Sequence, residues 1–386
     1  MDFKRLMPIY LAAVIGPIGG AGVIPLLPVL ARNWNIHIQW VSLTITFYMI
    51  PFVVFQLFSG SIAHVFRTRT TLLFGFGTYS LGGFLSGISP NLGSLLASRF
   101  VQGLGAAFIH PIVFALVGEL VEPKNMGKAM GMLGVTYTAG VTMGPLISGL
   151  LEVSLGWSWY FFFLMALSLS IGAFYALVSF REGPGQTRTG HIGDAFELVK
   201  KSLSYAGVRF ISLAAFALLL GYIGLMTFVA DYLKESFSLR SDKLGLILSM
   251  TGFSGILTSP IAGFLGDRFG RTSVAFGGGV LMIIAVLGLA MVQYTYSKYL
   301  WLFFLFGVGS ATTWTSLNTL AVELIPHLRK PVSSVYNSFK YFGYALSPLV
   351  LSLLYVPFSI FAVYWAVIVS ILVSLFLVTR LRSPAG

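Results

Sequence analysis

The sequence predicts an all-α membrane protein of twelve transmembrane helices in two pseudo-symmetric six-helix bundles, and three observations predict it. Of the 386 residues, 56% are hydrophobic and 9% charged, with a mean hydropathy of +0.88, a composition that lipid must help to solvate. Apolar stretches of about 20 to 25 residues recur between short polar breaks, the length of helix that crosses about 30 Å of hydrocarbon. The second half of the chain also repeats the first at a lag near 203 residues.

Taken in order, the first span, 6–30, follows Lys4 and Arg5 and carries Pro25 and Pro28. It is too long for the apolar region of a cleaved signal peptide and is expected to stay. The second and third, 40–63 and 71–88, flank the phrase GSIAHVFRTR at 60–69. The fourth, 92–118, contains RFVQGLGAAF from Arg99, and the fifth, 128–151, contains GMLGVTYTAGVTMGPLISG from Gly131. The sixth, 157–180, is stopped by Gly183, Pro184 and Gly185. The seventh and eighth, 207–232 and 244–265, lead into GFLGDRFGR at 263–271. The ninth, 272–293, the tenth, 299–322, the eleventh, 332–355, and the twelfth, 358–379, complete the set.

The repeat fixes the organisation. Gly60 falls on Gly263, Gly103 and Gly105 on Gly307 and Gly309, Glu119 on Glu323, and Pro145 on Pro348. Six spans per half start and end each half on one side, so the repeat is parallel, with its pseudo-twofold along the membrane normal. The expected units are an N-terminal bundle, 1–180, a linker, 181–206, and a C-terminal bundle, 207–386. In the linker, Ile192, Phe196, Val199 and Leu203 recur at helical spacing opposite Asp194, Glu197, Lys200 and Lys201, which predicts an amphipathic helix on the membrane surface.

Charge gives topology. The net charge of +12 reflects 24 basic residues. Sixteen fall in loops on the side where the chain begins; five (Arg32, Lys234, Arg240, Lys243, Lys298) fall opposite, and three (Arg99, Arg209, Lys340) in or near helices. This bias predicts a multi-pass protein of the cell membrane with both termini cytoplasmic, and explains the charge without a nucleic-acid partner. Cysteine is absent, which excludes disulfides and thiolate metal sites. The five histidines are scattered over different segments and no two acids share a mid-membrane level, so a membrane-embedded enzyme lacks its catalytic constellation.

At this point the sequence resembles the major facilitator superfamily, and within it the twelve-span drug:proton antiporter type. GFLGDRFGR is similar to the loop signature Gly-x-Leu-x-Asp-Arg-x-Gly-Arg, RFVQGLGAA to the fourth-span signature, and Gly131, Gly140, Gly144, Pro145 and Gly149 to the fifth-span antiporter signature. The resemblance implies alternating access and proton-coupled efflux of a small organic molecule, with no cofactor beyond a proton gradient, in a chain acting as a monomer among lipids. It implies a conformational latch of Gly263, Asp267, Arg268, Gly270 and Arg271, reaching carboxylates such as Glu119 and Glu323; the same residues also serve as plain topology markers. In the N-terminal copy His64, Arg67 and Thr68 replace the expected acid, glycine and arginine, which puts that copy's latch in doubt. Thr136, Gly140, Gly144 and Ser148 form a small-residue ladder suited to close helix packing, with or without a directional consequence.

Ionisable groups at the bilayer centre cost about 2.5 to 3.5 kcal/mol on insertion scales, so each is a candidate site. Arg99, with Gly103, Ala106 and His110 on its face, forms a polar stripe, and Gln102 lies beside it. Lys340 stands inside the eleventh span near Asn337, Tyr341 and Tyr344. Neither cation has a charged counterpart in the other repeat, which points to function. Arg99 serves either coupling and substrate contact or a structural role bonded to carbonyls, and His110 is either a coupling group or a packed neutral imidazole. Asp231, near the outer end of the seventh span, completes the set of proton-carrying candidates, and the first span carries no central acid. Two cations without a buried acid leave uptake or facilitated transport of a small organic anion as the alternative to efflux.

Overall fold

The computed structural model describes residues 3–65, 68–122, 125–178 and 192–381, and every regular element among them is helical. Helix α1 (Phe3–Ala21) gives way to a 3-10 turn, Ile24–Leu26, before α2 (Leu27–Trp34). Pro25 and Pro28 remove two backbone donors there, so the helix cannot run on unbroken. Helix α3 (Ile38–Val41) leads into α4 (Leu43–Val65), α5 (Thr68–Gly87) and α6 (Leu92–Leu120). Helix α6 starts sharply because the Asn91 side chain accepts from the Ser94 amide at 2.9 Å, satisfying a donor the helix leaves unpaired. Helices α7 (Met126–Leu155) and α8 (Ser158–Val178) finish the first half; Gly156, at φ +100°, makes the turn between them.

After α9 (Ile192–Ser204) come α10 (Ala206–Phe237), α11 (Ser241–Phe269), α12 (Arg271–Met291), α13 (Tyr296–Glu323) and α14 (Arg329–Thr379). Ten helices among the described residues are long and apolar enough to cross a membrane. The last of these, Pro331–Thr379, is 49 residues long, and at about 1.5 Å per residue that exceeds twice the hydrocarbon thickness. Its backbone breaks at Ser359 (φ 69°, ψ −176°), two residues beyond Pro357. Helix α5 is regular over its 20 residues but is diluted by Gly75, Gly77, Gly82, Gly83 and Gly87.

The repeat recurs in the packing. Gly103 of α6 lies against the Tyr48 backbone of α4, and Gly307 of α13 against Thr251 of α11. Gly105 lies against Tyr79 of α5, and Gly309 against Met282 of α12. Tyr48 to Thr251 and Tyr79 to Met282 are each 203 positions apart, so the same backbone approach is made twice. A Cβ at any of these glycines would meet backbone atoms, which is why a small residue stands there. One apolar core runs through the bundle, while Leu177, Met291 and Leu353 face outward at 79%, 83% and 72% exposure, as lipid-facing side chains do.

The halves join chiefly at two seams, α7 against α11 and α4 against α14, with α2 also meeting α10. At the second, Thr46 donates to the Ala345 carbonyl (2.7 Å) and Ser338 to that of Val53 (3.0 Å). Helix α9 docks Val199 and Leu203 beside Val208, Val332 and Val335, while Phe196 stays 66% exposed. Its predicted apolar face is therefore shared between protein and surroundings; Gly183 to Gly185 and the side chains of Ile192 and Asp194 lie outside the described residues.

Candidate functional site

The broken first span is held by donors from four other helices. Tyr79 donates to the Ile15 carbonyl and Tyr48 to that of Gly16, both at 2.9 Å, and Tyr160 to that of Ile18. Arg99 adds Nη2 to the Gly19 carbonyl at 2.9 Å, Nη1 to Gln102 Oε1, and Nε to the Thr44 carbonyl at 3.5 Å. Its guanidinium lies 4.1 Å from the Tyr48 ring centroid, and the residue is wholly buried. Carbonyl oxygens accept a second bond beside the helical one, so this knot solvates a buried cation without a carboxylate. Of the two roles open to Arg99 in the sequence, the geometry here is that of the carbonyl-bonded arginine.

A second cluster joins the halves. On α14, Lys340 Nζ donates to Asn337 Oδ1 at 2.7 Å and lies 4.8, 5.6 and 5.9 Å from the ring centroids of Tyr341, Tyr336 and Trp314. Tyr341 Oη is 3.1 Å from Tyr137 Oη of α7, a contact between the two halves at the position whose repeat partner is Lys340. His110 of α6 packs beside them, its ring 5.7 Å from Tyr137, 6.3 Å from Tyr341, 5.2 Å from Phe52 and 5.0 Å from Phe114. Both its ring nitrogens are buried without a hydrogen-bond partner, as is the Tyr344 hydroxyl. Tyr344 faces Gly20 of α1, where a Cβ would come within 3.4 Å of that hydroxyl.

The structure thus brings Asn337, Lys340 and His110 together and sets Arg99 apart. Arg99 and His110 share α6, but eleven residues place them about 16 Å apart along it, and between them Gly103 backs onto Tyr48 and Ala106 is buried. Asp231 lies apart as well, 6% exposed near the far end of α10, accepting from Tyr355 Oη at 2.8 Å. Two cavities, about 450 Å³ beside Tyr294 and Tyr364 and about 300 Å³ beside Ser89 and Ser98, lie away from this interface.

In the loop phrase at 263–271, Arg271 bridges Asp267 and, at 3.5 Å, Glu323, and donates to the Gly263 carbonyl at 3.2 Å. Gly270 turns the chain at φ +87° and Arg268 lies over Phe269. All of these groups belong to the second half. The side chains of Glu119, His64 and Thr68, and all of Arg67, lie outside the described residues. On the opposite face, Arg32 Nε bonds Glu235 Oε1 at 2.7 Å and its Nη2 reaches the Lys234 carbonyl at 3.0 Å. In the sequence Arg32 is one of the five basic residues of this side, and its partner Glu235 stands 203 residues away, one repeat lag.

Helices α7 and α11 meet unevenly. Gly140 and Gly144 pack on α1 at Val14, Ile18 and Gly22, and Gly149 against Ser241. Along the seam, Gly245 abuts Pro145, Gly252 abuts Thr142, and Gly255 lies near Thr138. Gly131 precedes Gly149 on α7, and Gly263 follows Gly245 on α11, by eighteen residues, about five turns of a regular helix, with Pro145 and Pro260 inside those intervals. Around Gly131 and Gly263, and around Gly134, no atom lies within 4 Å of a Cβ position. Among the described residues the close α7–α11 contacts run from Gly149 and Ser241, on the side opposite the chain's start, to Thr138 and Gly255.

The family model described as Major Facilitator Superfamily matches residues 9–348 and 211–386. An uncharacterized MFS-type transporter of Bacillus subtilis, YceJ, is 26% identical over 263 residues, 67% of this chain and 65% of its own. A multidrug resistance protein B homolog of Mycobacterium tuberculosis is 23% identical over 300 residues, 64% of this chain and 55% of its own. The riboflavin transporter RibZ of Clostridioides difficile is 22% identical over 332 residues, 73% and 72%. The chain spans about half to two thirds of the length of the first two.

Proposed function

As the chain belongs to the Major Facilitator Superfamily, we propose that it is a secondary transporter that exports a small organic molecule by alternating access, coupled to protons entering in exchange. It works as a monomer in the cell membrane, with both termini cytoplasmic and no cofactor. The observation that carries this reading is the uneven seam: packed at Gly149, Pro145 and Gly245, open at Gly131 and Gly263. One end state of a rocking pair of bundles has this form, and the basic loops on the open side make it the inward-facing one. Multidrug-resistance and riboflavin-transporter relatives support a small organic cargo, and the fifth-span glycines support exchange. The seam is also where a substrate with different affinity for the two states would bias the equilibrium.

Cysteine pairs test the motion, since the chain has no native cysteine. Cross-linking Arg32→Cys to Glu235→Cys should stop transport, and reduction should restore it. Accumulation of a planar dye inside proteoliposomes against its gradient, driven only by an imposed pH difference, is the expected result for coupling. Equilibration indifferent to pH would overturn the coupling. It would leave the second reading, facilitated movement of a small organic anion, favoured by a Lys340 that pairs with no carboxylate among the described residues.

A further inference from the structure

We infer that Lys340 anchors a binding site for the carboxylate of a flat aromatic monoanion, with Tyr341 beside it and His110 and Tyr137 completing it from the opposite half. This names the cargo class of the transporter proposed above and rests on that reading. Lys340 Nζ carries three donors, and Asn337 Oδ1 takes one. His110 supplies a buried imidazole with neither nitrogen bonded, and Tyr344 an unpartnered buried hydroxyl. Tyr137 and Tyr341 share one hydrogen bond between two hydroxyls, which leaves one of the two protons available.

Lys340 thus keeps two unused donors beside the free proton of the Tyr137–Tyr341 pair, and the group that balances them is acceptor-only. A carboxylate is, and its single negative charge matches the single cation. An ammonium cargo would meet Lys340 as a like charge in a poorly solvated place, which disfavours it. Arg99 offers no competing anion site, because it is wholly buried and three of its five N–H donors already hold Gly19, Gln102 and Thr44. The aromatic body follows from the walls: Trp314 and Tyr336 stand by Lys340, and Phe114 and Phe52 by His110, and aromatic faces favour offset stacking with a planar ligand. Lys340, Asn337, Tyr137 and Trp314 are each partly exposed, so the cluster is reachable. Because α6 and α7 come from one half and α13 and α14 from the other, a ligand here touches both bundles.

The test uses the full chain in nanodiscs and three probes of one shape: 2-naphthoate, 2-naphthamide and 2-naphthylmethylammonium, with binding read by calorimetry. Naphthoate should bind at least tenfold more tightly than the amide, and the ammonium most weakly. Lys340→Gln should weaken naphthoate at least tenfold while leaving the amide unchanged, and Lys340→Arg should stay within about threefold of the parent. Thermal melting confirms that both variants are folded. Equal binding of amide and naphthoate, preference for the ammonium, no binding of any probe, or indifference to Lys340→Gln would each overturn the assignment. The cysteine cross-links above are read with the dye and not with these three probes, so the transport reading stands or falls separately.

Discussion

Arg99 and Lys340 are both cations deep in apolar helices, yet they are held very differently. A central charge costs about 2.5 to 3.5 kcal/mol to insert. Arg99 recovers this through bonds to three partners and a stacked tyrosine, at about 1.5 to 3 kcal/mol for each good charged hydrogen bond. Lys340 has one such bond and aromatic faces 4.8 to 5.9 Å away, contacts worth about 0.5 to 2 kcal/mol. The contrast predicts opposite thermal shifts. Arg99→Leu should destabilise by about 3 kcal/mol, seen as a clear fall in melting temperature in detergent, because α6 loses its bonds to the Gly19 and Thr44 carbonyls. Lys340→Gln should leave melting unchanged or raise it, since removing an under-compensated buried charge relieves a cost. A fall in both, or in Lys340→Gln alone, would contradict this division of roles.

At the level of elements, close approach is set by glycine. Gly245 of α11 lies so near the Pro145 carbonyl of α7 that any side chain there must push the helices apart, and interiors respond to such overpacking by shifting, at about 1 to 3 kcal/mol. Gly263, on the same strip of α11, has open space. Gly245→Val should therefore open the far seam, and the yield of the Arg32→Cys, Glu235→Cys cross-link should drop severalfold. Gly263→Val should leave that yield unchanged. The two positions differ by whole helical turns, so sequence spacing alone treats them alike; only the splay of the helices separates them.

Across the whole molecule, the far side is tied by a pair that is easy to break. Arg32 and Glu235 are 45% and 50% exposed, and such surface pairs contribute about 0 to 1 kcal/mol. That suits a joint that must release on every cycle, where a buried pair would hold one state too firmly. Glu235→Gln should shift the equilibrium between states by up to about fivefold, read as an altered distance distribution between spin labels on the far side. The exchange Arg32→Glu with Glu235→Arg should restore it, and high salt should mimic the single change. The Asp267–Arg271–Glu323 group, all within the second half, braces the end of one bundle in this state rather than bridging two.

Membrane residence, a helical chain, the duplication and the two odd cations were all legible in the sequence. Composition, apolar run length and self-similarity are one-dimensional properties and survive without knowledge of contacts. The fate of each cation was not legible. Arg99 and Lys340 look equivalent as buried charges, and what separates them is that one faces the carbonyls of a proline-broken helix eighty residues away, the other an aromatic seam between repeats. In lipid, every helix face is apolar enough to pack almost anywhere, so partners are chosen by shape and by where backbone can come close. That choice was made by the tertiary structure alone, and it decided which charge holds the fold together and which is left to meet a ligand.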